Sequence, residues 1–275
     1  MIPFQVTILG AGSAIPSLMR SASAQVVQYN GLNILIDCAE GTQLQLKKFK
    51  ISPMRIDAIL ISHLHGDHYF GLIGLISTLH LIGRKHPLHI YGPPELYEIL
   101  KLQLKAAATD LKYALHFKAL TPNVKDHFFS GKYLDFFSFP VKHRIPAWGF
   151  LICEKTPERN VLPWFIDKHK PDYATIRSIK AGHDYVSDEG QRIPNHDITI
   201  AGRSARSYAY CTDTAYDENL AGIIKNADLL YHEATFMAHL EETANSTFHS
   251  TSRQAAAIAV KANVRKLIIG HFSSR

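Results

Sequence analysis

The chain has 275 residues, 46% hydrophobic and 20% charged, the composition of a folded globular protein, which excludes long disorder, collagen-like repeats and low complexity. Thirty Lys and Arg against 24 Asp and Glu leave a net charge of +6, compatible with an anionic partner such as nucleic acid but not diagnostic of one. The most apolar stretch, residues 70–83, contains His80 and falls short of the roughly 20 apolar residues of a membrane-spanning helix, so no membrane partner is expected.

No basic region followed by an apolar core opens the chain, so a secretory leader is not expected and a cytoplasmic location is. Alternation over 5–9 predicts a strand before Gly10-Ala-Gly12, and 24–29 with 33–37 predicts a hairpin across Asn30-Gly31. A short helix over 41–49 and a buried strand over 56–61 follow, the strand ending at Ser62-His63. Next come a buried helix over 70–81, a strand over 88–91, a helix over 94–108, and strands over 115–119, 133–141 and 148–153. Residues 154–190 break this pattern: they are polar, carry Pro157, Pro163 and Pro171, and show one weak helix around 172–179. They read either as a solvated loop or as an inserted arm. Strands over 207–211, 228–232 and 266–269 and helices over 218–224 and 252–262 complete the chain. Two halves of this kind predict an α/β single domain over 1–275, with two sheets packed face to face and helices outside in four layers. Cys38, Cys153 and Cys211 have no paired spacing and are expected to be reduced thiols.

His63-Leu64-His65-Gly66-Asp67-His68 concentrates four metal-competent side chains between an apolar strand and an apolar helix. At a strand end His63 and His65 point the same way, because side chains repeat every two residues, while a turn at Gly66 lets Asp67 and His68 face a second point nearby. Two adjacent metal positions follow. Asp37 closes an apolar strand and reads either as support for a ligand or as a turn cap.

The histidine segment resembles the H-x-H-x-D-H motif of the metallo-β-lactamase superfamily, which implies an αββα sandwich with metals at the end of its sheets. Its downstream histidine, bridging acid and final histidine are matched by His143, Asp213 and His271. The resemblance narrows to the ribonuclease Z family, endonucleases that trim the 3′ ends of precursor transfer RNA. Carrying it are Gly10-Ala-Gly-Ser-Ala-Ile-Pro16, Ile36-Asp-Cys-Ala-Glu-Gly-Thr-Gln43, His143-Arg144, Cys211-Thr-Asp-Thr214, His232-Glu-Ala-Thr-Phe236, His249-Ser-Thr-Ser-Arg253 and His271-Phe-Ser-Ser-Arg275. These segments span nearly the whole chain in family order.

The resemblance implies two zinc ions per subunit, one held by His63, His65 and His143, the other by Asp67, His68 and His271, with Asp213 bridging. Such a nitrogen and oxygen set also suits manganese or iron. It further implies that Asp67 is both ligand and proton carrier, and that His249, oriented by Glu233, protonates the leaving 3′ oxygen. From the residues alone, His249 also reads as the cap of a helix beginning near Ser252, and Glu233 as half of a core ion pair.

The sequence departs from the family in its loop and its arm. Where bacterial members often carry P-x-K-x-R-N, this chain has Pro16-Ser-Leu-Met-Arg20-Ser21, with Leu18 in place of lysine and Ser21 in place of asparagine, so the cut position and the response to a CCA end are not implied. Residues 154–190 stand where family members carry an arm that grips the transfer RNA elbow, but lack its Gly-Pro, and over 154–180 they hold six basic residues against four acidic ones. Candidate RNA contacts are Pro16, Arg20, Lys168, Lys170, Arg253 and Arg275. Members usually continue into a short C-terminal helix after the last motif, whereas this sequence stops at Arg275. The expected partners are precursor transfer RNA and a second copy of the chain in a homodimer.

The expected activity is removal of the 3′ trailer, leaving a 3′ hydroxyl on the RNA body and a 5′ phosphate on the trailer. One rival is a hydrolase of a small phosphodiester or other ester on the same fold, which the His-Glu-Ala-Thr-Phe and His-Ser-Thr segments disfavour. The other is a non-cleaving RNA-binding relative, disfavoured by the presence of all seven metal positions.

Overall fold

A computed structural model describes residues 2–15, 17–187 and 189–274, so the candidate RNA contacts Pro16 and Arg275 lie outside the described residues. The chain divides into two compact units, the first comprising residues 1–130, 136–152 and 207–275, the second residues 131–135 and 153–206.

The first sheet consists of β1 (Phe4–Gly10), β2 (Ala24–Tyr29), β3 (Leu32–Ile36), β4 (Ala58–Leu60), β5 (Leu88–Gly92) and β6 (Leu115–Ala119), neighbours in that order. β2 and β3 form the expected hairpin, with φ of 47° at Asn30 and 85° at Gly31, the left-handed region that these two residue types enter most easily. From β3 to β6 the strands run parallel, so their C-terminal ends share one edge. Parallel strands need crossovers, supplied here by α1 (Thr42–Lys48), α2 (Gly66–Tyr69), α3 (Leu72–Leu81) and α4 (Glu95–Ala106). Leu46, Leu75, Leu79, Leu96 and Leu100 of these helices bury themselves against Leu35, Ile59 and Ile90 of the sheet.

β7 (Asp126–Ser130), β8 (Leu134–Pro140) and β9 (Trp148–Glu154) follow. The second unit then carries β10 (Asn160–Val161), α5 (Pro163–His169), α6 (Tyr173–Lys180), β11 (Tyr185–Val186), β12 (Arg192–Ile193), α7 (Asn195–Ile198) and β13 (Thr199–Ile200). It has its own small core of Phe165, Ile179 and Ile198. Within it the buried Glu154 carboxylate is clamped by two guanidiniums, Oε1 lying 2.6 Å from Nη2 of both Arg203 and Arg206.

The first unit resumes with β14 (Ser207–Cys211), α8 (Leu220–Ile223), β15 (Leu229–Glu233), α9 (Glu241–Ser246), α10 (Ser252–Lys261) and β16 (Leu267–Gly270). Its second sheet has the order β16-β15-β14-β9-β8-β7, and β14, β15 and β16 are parallel. Gly270 is required where it stands, because a Cβ there would lie 2.1 Å from the hydroxyl of Tyr231 on the neighbouring strand. α10 packs on β15 and β16 through Ala255, Ile258 and Ala259. The sheets meet through buried tyrosines, Tyr208 bonding Gln25 of β2 and Tyr210 bonding Asp37 at the end of β3. The first unit is therefore layered helix, sheet, sheet, helix, as expected.

The differences from expectation have local causes. β7 adds a strand to the pattern: of its five residues only Phe128 is buried, the mark of an edge strand that alternation detects poorly. α5 begins at Pro163, a residue that reads as a breaker but suits the first turn of a helix. α3 starts at Leu72 rather than at 70, because the chain first completes the separate turn α2. Among the described residues no helix is long and apolar enough to cross a membrane.

Candidate metal centre

The parallel strands deliver the site. Beyond the C-terminal ends of β3 and β4 come Asp37 and Ser62-His63; at or beyond those of β14, β15 and β16 come Asp213, Glu233 and His271. Two such edges face a common crevice, the usual place for a ligand in sheets of this kind. Asp37, Asp213 and His271 turn away from their strands with φ of 57°, 46° and 59°. Left-handed backbone costs free energy at a non-glycine residue, less for Asp than for His, so the surroundings must hold it there.

The ligand atoms of His63, His65, His143 and Asp213 all lie within 4.8 Å of one another, as do those of Asp67, His68 and His271. In the first group His65 Nδ1 is 3.1 Å from His63 Nε2 and 3.0 Å from His143 Nε2. In the second, His68 Nε2 and His271 Nε2 are 3.2 Å apart, with Asp67 Oδ2 3.3 Å from His271 Nε2. Asp213 belongs to both: Oδ2 is 3.6 Å from His63 Nε2, and Oδ1 is 3.1 Å from both His68 Nε2 and His271 Nε2.

These separations fit cations. Donor atoms at tetrahedral corners about 2.0–2.1 Å from one zinc ion are about 3.3 Å apart. The far side of four imidazoles is already committed: Nδ1 of His63 contacts Ser62 Oγ at 3.0 Å, that of His68 contacts Asp37 Oδ2 at 2.8 Å, that of His143 contacts the Phe248 carbonyl at 3.1 Å, and that of His271 contacts Thr235 Oγ1 at 2.9 Å. A proton on each Nδ1 leaves the Nε2 lone pairs converging, and lone pairs at such distances repel unless positive charge lies between them.

Electrostatics agree. Burial works against charge on His68, but Asp213 and Asp37 on its two sides outweigh it and push its pKa well above the ordinary histidine value. Burial also opposes ionisation of Asp67 and Asp213, yet the neighbouring His271 and His68 hold both carboxyls below the usual range. Burial, reinforced by the charge of His68, lowers His63. Asp37 itself accepts from the Ser62 amide at 2.8 Å, the Ser62 hydroxyl at 2.9 Å and the Tyr210 hydroxyl at 2.7 Å.

Glu233 and His249 form a second arrangement. The Glu233 carboxylate is fully buried and accepts from the amides of Thr214, Thr235 and Ser250 and from the Thr235 hydroxyl, while His249 Nδ1 lies 2.9 Å from Oε1. Burial lowers the His249 pKa, but the hydrogen bond and charge of Glu233 prevail and raise it. His249 does not cap α10; Thr251 does, in a capping box with Gln254. A ring nitrogen of His249 also falls within 4.8 Å of ligand atoms of Asp213 and His271, so the pair borders the metal cluster.

A cavity of about 470 Å³ opens over this cluster, lined among others by Glu40, Asp67, Phe70, Arg144, Asp213, His249 and His271. Arg20 is exposed, its guanidinium 5.1 Å from the centre of the Phe272 ring, and Arg253 is exposed on the first turn of α10; neither lines this cavity. Lys168 and Lys170 are exposed in the second unit, at and just after the end of α5. Sequence reasoning missed Ser62, Thr235 and the Phe248 carbonyl as histidine partners, and Arg144 on the cavity wall. Of these, Arg144 and Thr235 stand inside segments that carry the family resemblance, His143-Arg144 and His232-Glu-Ala-Thr-Phe236.

The family model described as Anti-Pycsar protein Apyc1 matches residues 4–269. A ribonuclease Z of Parabacteroides distasonis is 42% identical over 275 residues, covering all of this chain and 90% of that protein. The crystal structure of human tRNase Z, short form, superposes with a TM-score of 0.74 at 29% identity, over 98% of this chain and 93% of that one. A metallo-β-lactamase fold protein of Bacillus subtilis, YhfI, superposes with a TM-score of 0.67 at 20% identity, over 98% and 86%, and speaks for the fold alone.

Proposed function

The chain belongs to the ribonuclease Z family and to that of the Apyc1 model, and from this we propose that it is a zinc-dependent endoribonuclease that removes the 3′ trailer from precursor transfer RNA. The observation that carries the reading is Asp213, whose two carboxylate oxygens face two separate ligand groups. His63, His65 and His143 would hold one zinc ion and Asp67, His68 and His271 the other, with Asp213 between them. When bound there, the metals supply Lewis acidity to the phosphodiester oxygens and lower the pKa of water toward about 7.

The chain's own groups perform the proton transfers. Asp67, fixed by the Ala14 amide at 2.7 Å, takes the proton of the attacking water. Attack on phosphorus breaks its bond to the 3′ oxygen of the upstream nucleotide. His249, kept protonated and oriented by Glu233, donates a proton to that oxygen. The products are a 3′ hydroxyl on the RNA body and a 5′ phosphate on the trailer, with no covalent enzyme intermediate. The proposed setting is a cytoplasmic homodimer acting on precursor transfer RNA.

The test is cleavage of a 3′-extended precursor transfer RNA, with and without CCA, by metal-reconstituted and chelated protein, with end mapping of the products. Metal-dependent cutting at the trailer junction supports the reading. Failure to cut RNA, by protein that holds two metals and hydrolyses bis(p-nitrophenyl) phosphate, would transfer the assignment to a small-ester hydrolase.

A further inference from the structure

Beside the cavity over the histidine and aspartate cluster lies a second one of about 290 Å³, lined among others by Ser13, Ala14, Arg144, Phe236, Thr247 and His249. The two cavities share Ser13, Ala14, Arg144 and His249, so these residues form their common wall. Their chemistry differs. The first is walled by three acids, Glu40, Asp67 and Asp213, whereas among the described residues the second has no carboxylate, one guanidinium, one phenyl ring beside the shared imidazole, and several hydroxyls. Arg144 makes no hydrogen bond or ion pair with any described residue. A guanidinium without a partner among the described residues is a ready partner for a phosphate.

Building on the proposed reaction, we infer that the second cavity is the subsite for the last retained nucleotide, with Phe236 stacking on its base and Arg144 gripping its 5′ phosphate. Connectivity sets the direction. Glu233 occupies Nδ1 of His249, so the leaving 3′ oxygen must approach the ring's other edge. The nucleoside attached to that oxygen then extends away from the metal ligands, and the cavity that shares His249 but contains no metal ligand is the second. Its volume lies at the lower end of small-molecule sites, about 300 Å³, which suits one nucleoside and not a paired stem. Stacking on an aromatic side chain serves any base, so the subsite positions the scissile bond without reading sequence.

The test uses precursor RNAs carrying an abasic ribose at either the last retained or the first trailer nucleotide, the junction being mapped on unmodified RNA. For wild-type enzyme the retained-side lesion is expected to lower kcat/KM about tenfold or more, and the trailer-side lesion to leave it within about twofold. In Phe236→Ala the retained-side penalty should vanish, because the stacking partner is already gone. Arg144→Ala should raise KM for RNA, with Arg144→Lys recovering part of the loss, while metal content stays near wild type. A penalty confined to the trailer side, or one that persists in Phe236→Ala, would overturn the assignment. Absence of any RNA cleavage, with the small ester still hydrolysed, would instead remove the underlying reading and this inference with it.

Discussion

Asp37 Oδ2 and Nδ1 of His68 lie 2.8 Å apart, both side chains sealed from solvent, and the bond turns Nε2 of His68 toward Asp213. A residue at the end of β3 thus sets the tautomer of a candidate ligand 31 positions along the chain. Asp37→Asn keeps the shape and tolerates the left-handed backbone, but loses the charge. It is expected to lower metal affinity about 10- to 100-fold, read by competition with a chromogenic chelator. Unchanged affinity would reduce Asp37 to a turn residue.

Asp67 and His249 are separable by metal content. Asp67→Ala and His249→Ala should both abolish cleavage, the latter by the roughly 10²–10⁴-fold that a proton donor contributes. Elemental analysis should find metal depleted in the first variant and near normal in the second. Equal loss in both would take His249 out of the proton-transfer role.

Lys168 and Lys170 are exposed on a unit with its own apolar core, so replacing them should not disturb its packing. The double change to Ala should weaken transfer RNA binding and flatten its salt dependence, because fewer counterions are released. Hydrolysis of bis(p-nitrophenyl) phosphate should be untouched. If both substrates suffer alike, these lysines act on the fold and not on RNA.

Cys38 is fully buried, which pushes its thiol up to about 12, and burial likewise raises Cys211. Since the thiolate is the reactive form, and its fraction grows only as pH approaches the pKa, both should resist iodoacetamide at pH 8 in native protein and react after unfolding. Peptide mapping of the alkylated protein reads this directly. Fast native labelling of either would contradict the burial described here.

Local physics was legible along the chain. Asn30-Gly31 announced its hairpin because few residue pairs accept two left-handed conformations, and His63 to His68 announced a cluster of metal-competent side chains because the spacing of two along an extended chain aims alternate side chains together. α10 was legible from its periodicity, but its cap was not, since both His249 and Thr251 precede it. For Asp37 two readings stood open, and the sequence held nothing to decide between them.

The alternation of strands and helices and the chemical types of the candidate ligands are readable from the chain alone, because these follow from side-chain period and donor identity within a few residues. Tertiary structure alone decided that Asp213 faces both ligand groups, that Thr235 and the Phe248 carbonyl orient His271 and His143, and that Arg144 and Phe236 wall one cavity. The reason is geometric. Parallel strands bring their C-terminal ends to one edge whatever their separation along the chain, so His68 and His271, 203 positions apart, come within 3.2 Å through strand order and sheet packing and not through local pattern.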